Sequence, residues 1–340
     1  MLTAAYSGKH TMTVAEVDAA PPQPDEVQIA VAYVGLCGTD LHIYHGHMDA
    51  RVDTPAVIGH EMSGTIIEVG DDVKDWSVGD QVTVMPLDWD DTCSACLAGH
   101  QHICQNLDFI GIDSPGALQG RWNVNASTLV SLPSDVSLRS AALVEPAAVA
   151  VHDVRRSELV AGDKAVVLGG GPIGLLIAVV ARAEGADVLI AEVDASRRQL
   201  AADLGFEVMN PVDVDQVALV ERWTDGVGAD IVFEVSGAAA AVLGCTGLAK
   251  VRGTIVIVAI HPQPAPIDLQ RVFWRELRIL GARVYQRTDF ERAVELIASG
   301  VVPVEALIST VEPIAATADA FAALADGGSM KILIDVQAGA

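Results

Sequence analysis

The sequence predicts an α/β protein in which a β-rich domain precedes a doubly wound parallel sheet. Residues 1 to about 145 contain short runs of β-forming residues separated by turn residues, which is typical of antiparallel sheets. From about residue 150 to 284, apolar runs of strand length alternate with helical stretches, as in a parallel sheet. A glycine-rich turn follows the first strand of this second region, and it indicates a dinucleotide site.

Composition fits a protein with large cores and argues against several classes of partner. The chain has 340 residues, 51% hydrophobic and 19% charged, so two domains are expected. Its net charge of −24 argues against nucleic acid or an anionic membrane as a partner. No apolar run reaches the length of a membrane span, and the first residues lack the features of a signal peptide. Five cysteines, three of them clustered, indicate metal binding in a reducing compartment, so we expect a cytoplasmic protein.

The β-rich region carries candidate metal ligands. Strands are predicted at residues 27–32, 64–69 and 81–84. Between and after them lie a cysteine, a histidine and two glutamates: Cys37, His60, Glu61 and Glu145. Thiolate, imidazole and carboxylate are the ligand types of an open catalytic zinc site. Taken singly, each residue also has a purely structural explanation, such as a buried cysteine or a core histidine.

The glycine-rich turn has the context of a dinucleotide site. Residues 165–168 are predicted as a strand, residues 175–184 as a helix and residues 187–191 as a second strand. The turn itself has the pattern G-x-G-x-x-G and consists of Gly169, Gly170, Gly171, Pro172, Ile173 and Gly174. Glycines let the backbone pass close to a pyrophosphate, and the helix N-terminus supplies free N–H groups.

The type of dinucleotide is predicted from Glu192, which ends the second strand. Its carboxylate can accept hydrogen bonds from both ribose hydroxyls and would repel a 2′-phosphate, which favours NAD over NADP. Arg197 and Arg198 follow closely, and an arginine near the ribose can instead accommodate that phosphate. We also assign Arg197 to the cofactor site, together with Ser236 and Val258, which lie at the ends of the later strands 231–233 and 254–258.

Five motifs place the chain beside a known family. They are Cys37 to His42 (CGTDLH), Gly59-His60-Glu61, Gly79-Asp80-Gln81-Val82, Leu143-Val144-Glu145-Pro146 and the glycine-rich turn. In order and spacing they resemble the zinc-dependent medium-chain alcohol dehydrogenases over essentially the whole chain. Val144-Glu145-Pro146 is most similar to the branch of sorbitol (polyol) and butanediol dehydrogenases, whereas Cys37 to Tyr44 also resembles threonine dehydrogenases.

The resemblance implies a domain plan and an activity. Residues 1–149 would form a GroES-like catalytic domain, 150–284 a Rossmann NAD-binding domain, and 285–340 would return to the catalytic domain. The implied activity is oxidation of a secondary alcohol, most simply a polyol or sugar, with zinc and NAD, in a homotetramer or a dimer. The alternatives are oxidation of an amino alcohol such as threonine, or nucleotide binding without turnover. The intact set of relay residues argues against the last of these.

The resemblance also implies roles for individual residues. Cys37, His60 and Glu145 would bind the catalytic zinc, and Glu61 would be either a direct ligand or one that exchanges with water. Thr39 would hydrogen-bond the substrate hydroxyl, and His42 would pass its proton to solvent through the cofactor ribose.

A second metal site is implied by the loop that holds the clustered cysteines. Asp90, Cys93, Cys96 and Cys104 resemble the structural zinc loop of this family, with Asp90 where the first of four cysteines normally stands. Three thiolates and one carboxylate can complete a closed tetrahedral site. His100 and His102 are further ligand candidates, and the alternative is a loop that has lost its metal.

The sequence does not assign a role to two histidines of the β-rich region or to the last cysteine. His45 and His47 flank Gly46 beside the predicted substrate side, where they are either substrate contacts or exposed loop histidines. Cys245 is expected to be buried in the second region.

Overall fold

A computed structural model describes residues 1–338 and divides them into two compact units. Unit 1 comprises Met1–Glu145 and the chain from Gln286 onward, and unit 2 comprises Pro146–Tyr285. The boundaries of unit 2 therefore lie a few residues from the expected 150 and 284.

The strands are, in chain order, β1 Leu2–Tyr6, β2 Met12–Glu16, β3 Glu26–Leu36, β4 Glu61–Val69, β5 Gln81–Val84, β6 Leu87–Asp88, β7 Asp108–Phe109, β8 Arg121–Asn125, β9 Leu129–Ser131, β10 Lys164–Leu168, β11 Asp187–Ala191, β12 Glu207–Met209, β13 Ala229–Glu234, β14 Ala249–Ile257, β15 Arg278–Gly281, β16 Ile308–Pro313 and β17 Lys331–Asp335. The helices are α1 Gly38–Tyr44, α2 Ser94–Leu97, α3 Leu138–Ala141, α4 Val144–Ser157, α5 Pro172–Ala183, α6 Ala195–Asp203, α7 Gln216–Trp223, α8 Ala239–Leu248, α9 Leu269–Arg275, α10 Arg287–Ala298, α11 Val304–Leu307 and α12 Thr317–Ala325.

Unit 1 is organised around the strand β3. This strand pairs with β4, β8 and β17, in each case antiparallel. Its β-branched residues Val27, Ile29, Val31 and Val34 are fully buried, which suits residues that pack well on a pleated surface. The sheet has the order β16-β17-β3-β4-β5-β9, so β3 lies at its centre and its C-terminal end leads directly into α1.

The last strand of the chain completes the sheet of unit 1. In β17, Ile332 pairs with Leu36 and Asp335 with Tyr33, so the strand runs beside the end of β3. From the sequence alone, the helical stretch 290–299 and the ending 331–336 have no obvious place in a single sheet. Both lie in unit 1.

Unit 2 contains a parallel sheet with the strand order β12-β11-β10-β13-β14-β15, which confirms the predicted doubly wound sheet. The order reverses between β10 and β13. In open sheets of this kind, ligands bind outside the carboxyl ends of the strands at that reversal. The sheet buries the thiol of Cys245, as expected, beside Val232 and Leu248.

Among residues 1–338, no helix is both long enough and apolar enough to cross a membrane.

Candidate active site and nucleotide site

The first helix of unit 1 holds Cys37 at its N-terminus. The Cys37 sulfur accepts a hydrogen bond from the Thr39 N–H at 3.2 Å, and the Cys37 N–H donates to the Asp40 carboxylate at 3.0 Å. These reciprocal bonds form a capping box, which satisfies N–H groups that a helix start leaves unpaired. The fold therefore fixes the backbone of Cys37 through α1.

His60 lies directly before β4, and its imidazole ring contacts the sulfur of Cys37. The Cys37 Sγ and His60 Nε2 atoms lie 3.2 Å apart, and His60 is almost fully buried. Two ligands of one tetrahedral zinc, at the usual Zn–S and Zn–N distances, are about 3.5 Å apart. The donor types and their separation thus fit a shared zinc ion.

Asp40 supports His60 from the opposite side of its ring. Asp40 Oδ1 lies 3.7 Å from His60 Nδ1, and neither atom has a hydrogen-bond partner among the described residues. Although Cys37, Asp40 and His60 form one group of possible ligands, the two ring nitrogens of an imidazole point in opposite directions. A metal shared by Cys37 and His60 Nε2 leaves Asp40 to orient the histidine, as carboxylates do around zinc-bound histidines.

Glu61 is held by a buried lysine. The Lys331 ammonium lies 2.7 and 2.6 Å from the two Glu61 carboxylate oxygens and donates to the Leu36 carbonyl at 3.2 Å. Glu61 pairs with Gly35 across the β3–β4 ladder, and a β-carbon at Gly35 would lie 2.3 Å from a Glu61 oxygen. The glycine therefore leaves the space through which Glu61 reaches the lysine on β17.

Glu145 lies in the first turn of α4 and is almost fully buried. Neither Glu145 nor Glu61 belongs to the group of ligand atoms formed by Cys37, Asp40 and His60. Both carboxylates act electrostatically on Lys331, so they belong to the same charged neighbourhood. Their role as zinc ligands stays a prediction.

The electrostatics of this neighbourhood favour a cation. Burial raises the pKa of the Cys37 thiol well above its usual range, and the carboxylates of Asp40 and Glu61 raise it further. Burial is the largest single influence on Lys331 and lowers its pKa, but the charges of Glu61, Cys37 and Glu145 and the hydrogen bond to Glu61 together raise that pKa above its usual range. A metal ion would provide the positive charge that a Cys37 thiolate needs here.

The predicted relay residues share the helix that Cys37 begins. Thr39 is partly buried in its first turn and His42 is exposed near its end. The Nδ1 atoms of His42 and His47 are 3.3 Å apart.

The second predicted metal loop brings its four candidate ligands together. Asp90, Cys93, Cys96 and Cys104 place their donor atoms within 4.8 Å of one another. The Cys93 sulfur lies 3.5 Å from that of Cys96 and 3.8 Å from that of Cys104. Sulfurs that share a tetrahedral zinc are about 3.8 Å apart, so the spacing fits a zinc ion. His102 instead lies near Gln286.

The carboxylate of Asp90 is anchored by its own loop. Its Oδ1 accepts from the N–H groups of Cys93 and Thr92, and its Oδ2 accepts from the Asn106 side chain. These hydrogen bonds, that from Cys93 first, hold the pKa of Asp90 below its usual range. Asp90 is therefore ionised, and its carboxylate is held in place beside the three cysteines of the loop.

We expect Asp90→Ala to reduce the zinc content from two ions per chain to one and to lower thermal stability. The loop loses its fourth ligand, and metal binding contributes to the folding of such loops. Elemental analysis of freshly purified protein and thermal denaturation measure both effects, with Asp91→Ala as the matched control. A wild-type protein that reproducibly holds a single zinc would make Asp90 an ordinary surface acid.

In unit 2 the predicted cofactor residues collect at the carboxyl ends of adjacent strands. Gly169 to Gly174 follow β10, Ser236 follows β13 and Val258 follows β14. A β-carbon at Gly169, whose φ is +109°, would lie 3.1 Å from Ser236 Cα. Gly171 caps α5, and Pro172 and Ile173 form its first turn. The set therefore surrounds the reversal of strand order, beside a helix N-terminus suited to phosphate.

Glu192 is tied to the glycine-rich turn. Its two carboxylate oxygens accept from the N–H groups of Gly170, at 2.7 Å, and Asp194, at 2.8 Å. A carboxylate offers about four acceptor positions, so two remain for ribose hydroxyls. Arg197 also lies near the turn, with its Nη1 3.6 Å from the position of a β-carbon on Gly171. Its buried Nε has no hydrogen-bond partner among the described residues, which leaves a donor for a phosphate.

Three residues of these sites were not identified from the sequence. Asp40 has no assigned role in the sequence analysis, although an acid three residues after an N-cap is the signature of a capping box. Lys331 begins a strand that continues with three apolar residues. A lysine in such a run is unusual, because lysines are rarely buried unless they are paired. Gly35 carries no such signal, because a glycine is required there only to make room for the side chain of Glu61 on the neighbouring strand.

Comparison with known proteins gives two family matches. Residues 23–134 match the family described as the alcohol dehydrogenase GroES-like domain, and residues 172–299 match the zinc-binding dehydrogenase family.

Three curated relatives align over most of the chain. A 2-dehydro-3-deoxy-L-galactonate 5-dehydrogenase of Pseudoalteromonas atlantica is 52% identical and covers 99% of both chains. A sorbitol dehydrogenase of Halalkalibacterium halodurans is 33% identical and covers 92% of both. An L-threonine 3-dehydrogenase of Thermococcus kodakarensis is 35% identical and covers 78% of this chain and 77% of its own.

Solved structures agree in fold. The 2R,3R-butanediol dehydrogenase from Bacillus subtilis superposes with a TM-score of 0.92 at 30% identity, covering 99% of both chains. A zinc-binding dehydrogenase from Sinorhizobium meliloti bound to NADP has a TM-score of 0.92 at 30% identity, covering 98% and 99%. An alcohol dehydrogenase from Escherichia coli complexed with NADH has a TM-score of 0.91 at 25% identity, covering 99% of both.

Proposed function

Because this chain belongs to the zinc-dependent alcohol dehydrogenase family, we propose that it oxidises a secondary alcohol of a sugar-type substrate and transfers the hydride to NAD. The observation that carries the proposal is the 3.2 Å approach of Cys37 and His60 at the start of the helix that also holds Thr39 and His42. The candidate ligand Cys37 and both relay residues thus lie on one short segment, with His60 beside it.

The chain's own residues divide the work of the reaction. Cys37, His60 and Glu145 would hold zinc, and Glu61 would be either a direct ligand or one that exchanges with water. Zinc, when bound, lowers the pKa of a hydroxyl in contact with it, so the alcohol can lose its proton near neutral pH. Thr39 positions the substrate hydroxyl, and His42 carries its proton to solvent. A nucleotide held at Gly169–Gly174 and Glu192 would supply the acceptor for the hydride.

The substrate class is a sugar acid. The relative that is 52% identical is named for 2-dehydro-3-deoxy-L-galactonate, whereas the sorbitol and threonine dehydrogenases are 33% and 35% identical. Since all three alignments cover most of the chain, the higher identity favours the acid over the neutral polyol or the amino alcohol.

The test is a panel of a sugar acid, sorbitol, 2,3-butanediol and L-threonine with NAD, monitored by the absorbance of the reduced cofactor. We expect turnover of the sugar acid that a chelator abolishes and zinc restores. Nucleotide binding without any turnover would instead support the rival reading as a non-catalytic dinucleotide-binding protein.

We expect kcat/KM to be at least about tenfold higher with NAD than with NADP, because Glu192 would repel a 2′-phosphate. Glu192→Ala should narrow this ratio. Arg197→Ala separates two roles: equal loss with both cofactors indicates pyrophosphate binding, and loss confined to NADP indicates contact with the 2′-phosphate. A wild-type preference for NADP would overturn the assignment.

The proposed assembly is a homotetramer, with a dimer as the alternative. In unit 2, β15 is an edge strand, and Leu269, Phe273 and Trp274 of the preceding helix are 68–73% exposed. An exposed sheet edge beside apolar side chains suits a second copy of the chain. Light scattering gives the number of subunits. None of the five cysteines forms a disulfide, which suits a cytoplasmic location.

A further inference from the structure

Four histidines and a lysine form a basic patch in unit 1. His42, His45 and His47 lie at and just after the end of α1, and Lys9 and His10 come from the turn between β1 and β2. The ring centroid of His45 lies 5.2 Å from that of His10 and 5.6 Å from that of His47, which is in turn 5.6 Å from that of His42. These five residues are called the histidine patch.

The histidine patch stands out against the composition of the chain. The protein carries 45 acidic and 21 basic residues, yet four of its nine histidines are gathered here. His10, His42, His47 and Lys9 are exposed and His45 is partly buried, so these side chains do not form a core. A basic cluster on a strongly acidic protein locally attracts anions.

Among residues 1–338, the contacts of the patch include one carboxylate, that of Asp49. The carboxylate of Asp49 packs against the turn at Gly46, but one of its oxygens accepts a hydrogen bond from the Tyr6 hydroxyl at 2.6 Å. Burial lowers the pKa of His45, and the neighbouring His10, His47, His42 and Lys9 lower it further. A bound anion would remove this mutual repulsion.

One member of the patch, His42, shares α1 with the predicted zinc ligand Cys37. Cys37 and His42 are at opposite ends of α1, and five residues of helix span about 7.5 Å along the axis. Gly46, with φ of +76°, reverses the chain so that His47 returns to His42. A molecule whose reacting carbon lies at the zinc ligands would have to span about this distance to reach the patch with its other end.

We propose that the histidine patch binds the carboxylate of the substrate and so makes the enzyme selective for sugar acids over neutral polyols. The inference rests on the proposed function, because it names the group that recognises the acid end of that substrate. Protonated imidazole and ammonium groups form charge-assisted hydrogen bonds with carboxylates, and these are among the stronger hydrogen bonds in proteins. His10, His45 and Lys9 are the members that can be tested without altering His42.

The test compares the zinc-loaded enzyme with the double variant His10→Gln/His45→Gln and with Lys9→Gln. The probes are 2-dehydro-3-deoxy-L-galactonate and sorbitol at constant ionic strength. We expect the double variant to raise KM for the acid about tenfold, with kcat nearly unchanged and KM for sorbitol unaltered. Lys74→Gln, which removes an exposed basic side chain of unit 1 outside the patch, is the matched control and should change neither KM.

Two results would overturn the proposal. One is an equal rise in KM for acid and polyol, which would indicate a general disturbance of the site. The other is a wild-type enzyme with a higher kcat/KM for sorbitol than for the acid. If the wild type turns over neither compound, the proposed function fails. Calorimetry of the acid with the zinc- and NAD-loaded protein then still tests whether the patch binds the carboxylate. Weaker binding by the double variant supports it, and equal binding refutes it.

Discussion

Cys37→Ala should lower turnover by about 10³-fold or more while leaving nucleotide binding intact. The substitution removes a thiolate from the pair that Cys37 forms with His60 at 3.2 Å, and the remaining ligands hold zinc weakly. Loss of the metal forfeits several kcal/mol of stabilisation in the transition state. Nucleotide binding should persist because Gly169–Gly174 and Glu192 lie in unit 2.

Steady-state kinetics, zinc analysis and titration with NAD measure the three parts of this expectation. Cys245→Ala is the matched control, since it removes a fully buried thiol far along the chain in unit 2 and should leave kcat unchanged. If Cys37→Ala keeps its activity, the assignment of the catalytic zinc is wrong.

Gly174→Ala and Gly171→Ala should fail in different ways. A β-carbon at Gly174 would lie 1.9 Å from the Gly169 carbonyl oxygen, so α5 must move away from the turn. Overpacking of this kind costs about 3 kcal/mol, and we expect Tm to fall by about 10 °C. A β-carbon at Gly171 meets only Arg197, at an ordinary 3.6 Å, and its φ of −68° suits alanine.

Gly171→Ala should therefore fold normally but bind NAD about 10²-fold more weakly, because the methyl group keeps the pyrophosphate from the backbone N–H groups. Thermal denaturation and fluorescence titration with NADH separate the two variants. Equal loss of stability in both would contradict the contacts seen at the turn, and normal NAD affinity in Gly171→Ala would remove that glycine from the site.

The fold could be predicted where local pattern determines structure. The glycine-rich turn and its two strands were located within a few residues, because helix, turn and strand each have their own periodicity there. The chain's ending could not be placed, because a strand such as β17 is defined by its pairing with β3 almost three hundred residues earlier. Pairing over such separations leaves no local trace in the sequence.

The same limit applied to the sites. Cys37, His60 and the four residues of the Asp90 loop could be proposed as ligands from the sequence because metal ligands are chemically restricted residue types with characteristic spacing. Lys331 and Gly35 contribute through Glu61 on a neighbouring strand, and their roles depend on strand register. The two hydrogen bonds that Glu192 accepts from backbone N–H groups likewise follow from the path of the chain around Gly170.

Because β17 pairs with β3, the sheet of unit 1 can be completed only after almost the whole chain has been synthesised. Lys331 follows Glu61 by 270 residues, so at ribosomal rates it emerges about 15 to 55 seconds later. Throughout that interval the nascent chain carries Cys37, His60 and Glu61 without the cation that later covers the glutamate. The whole of unit 2 is translated in between. A ribosome that stops before residue 331 therefore releases a protein with an intact nucleotide unit and an unfinished metal unit.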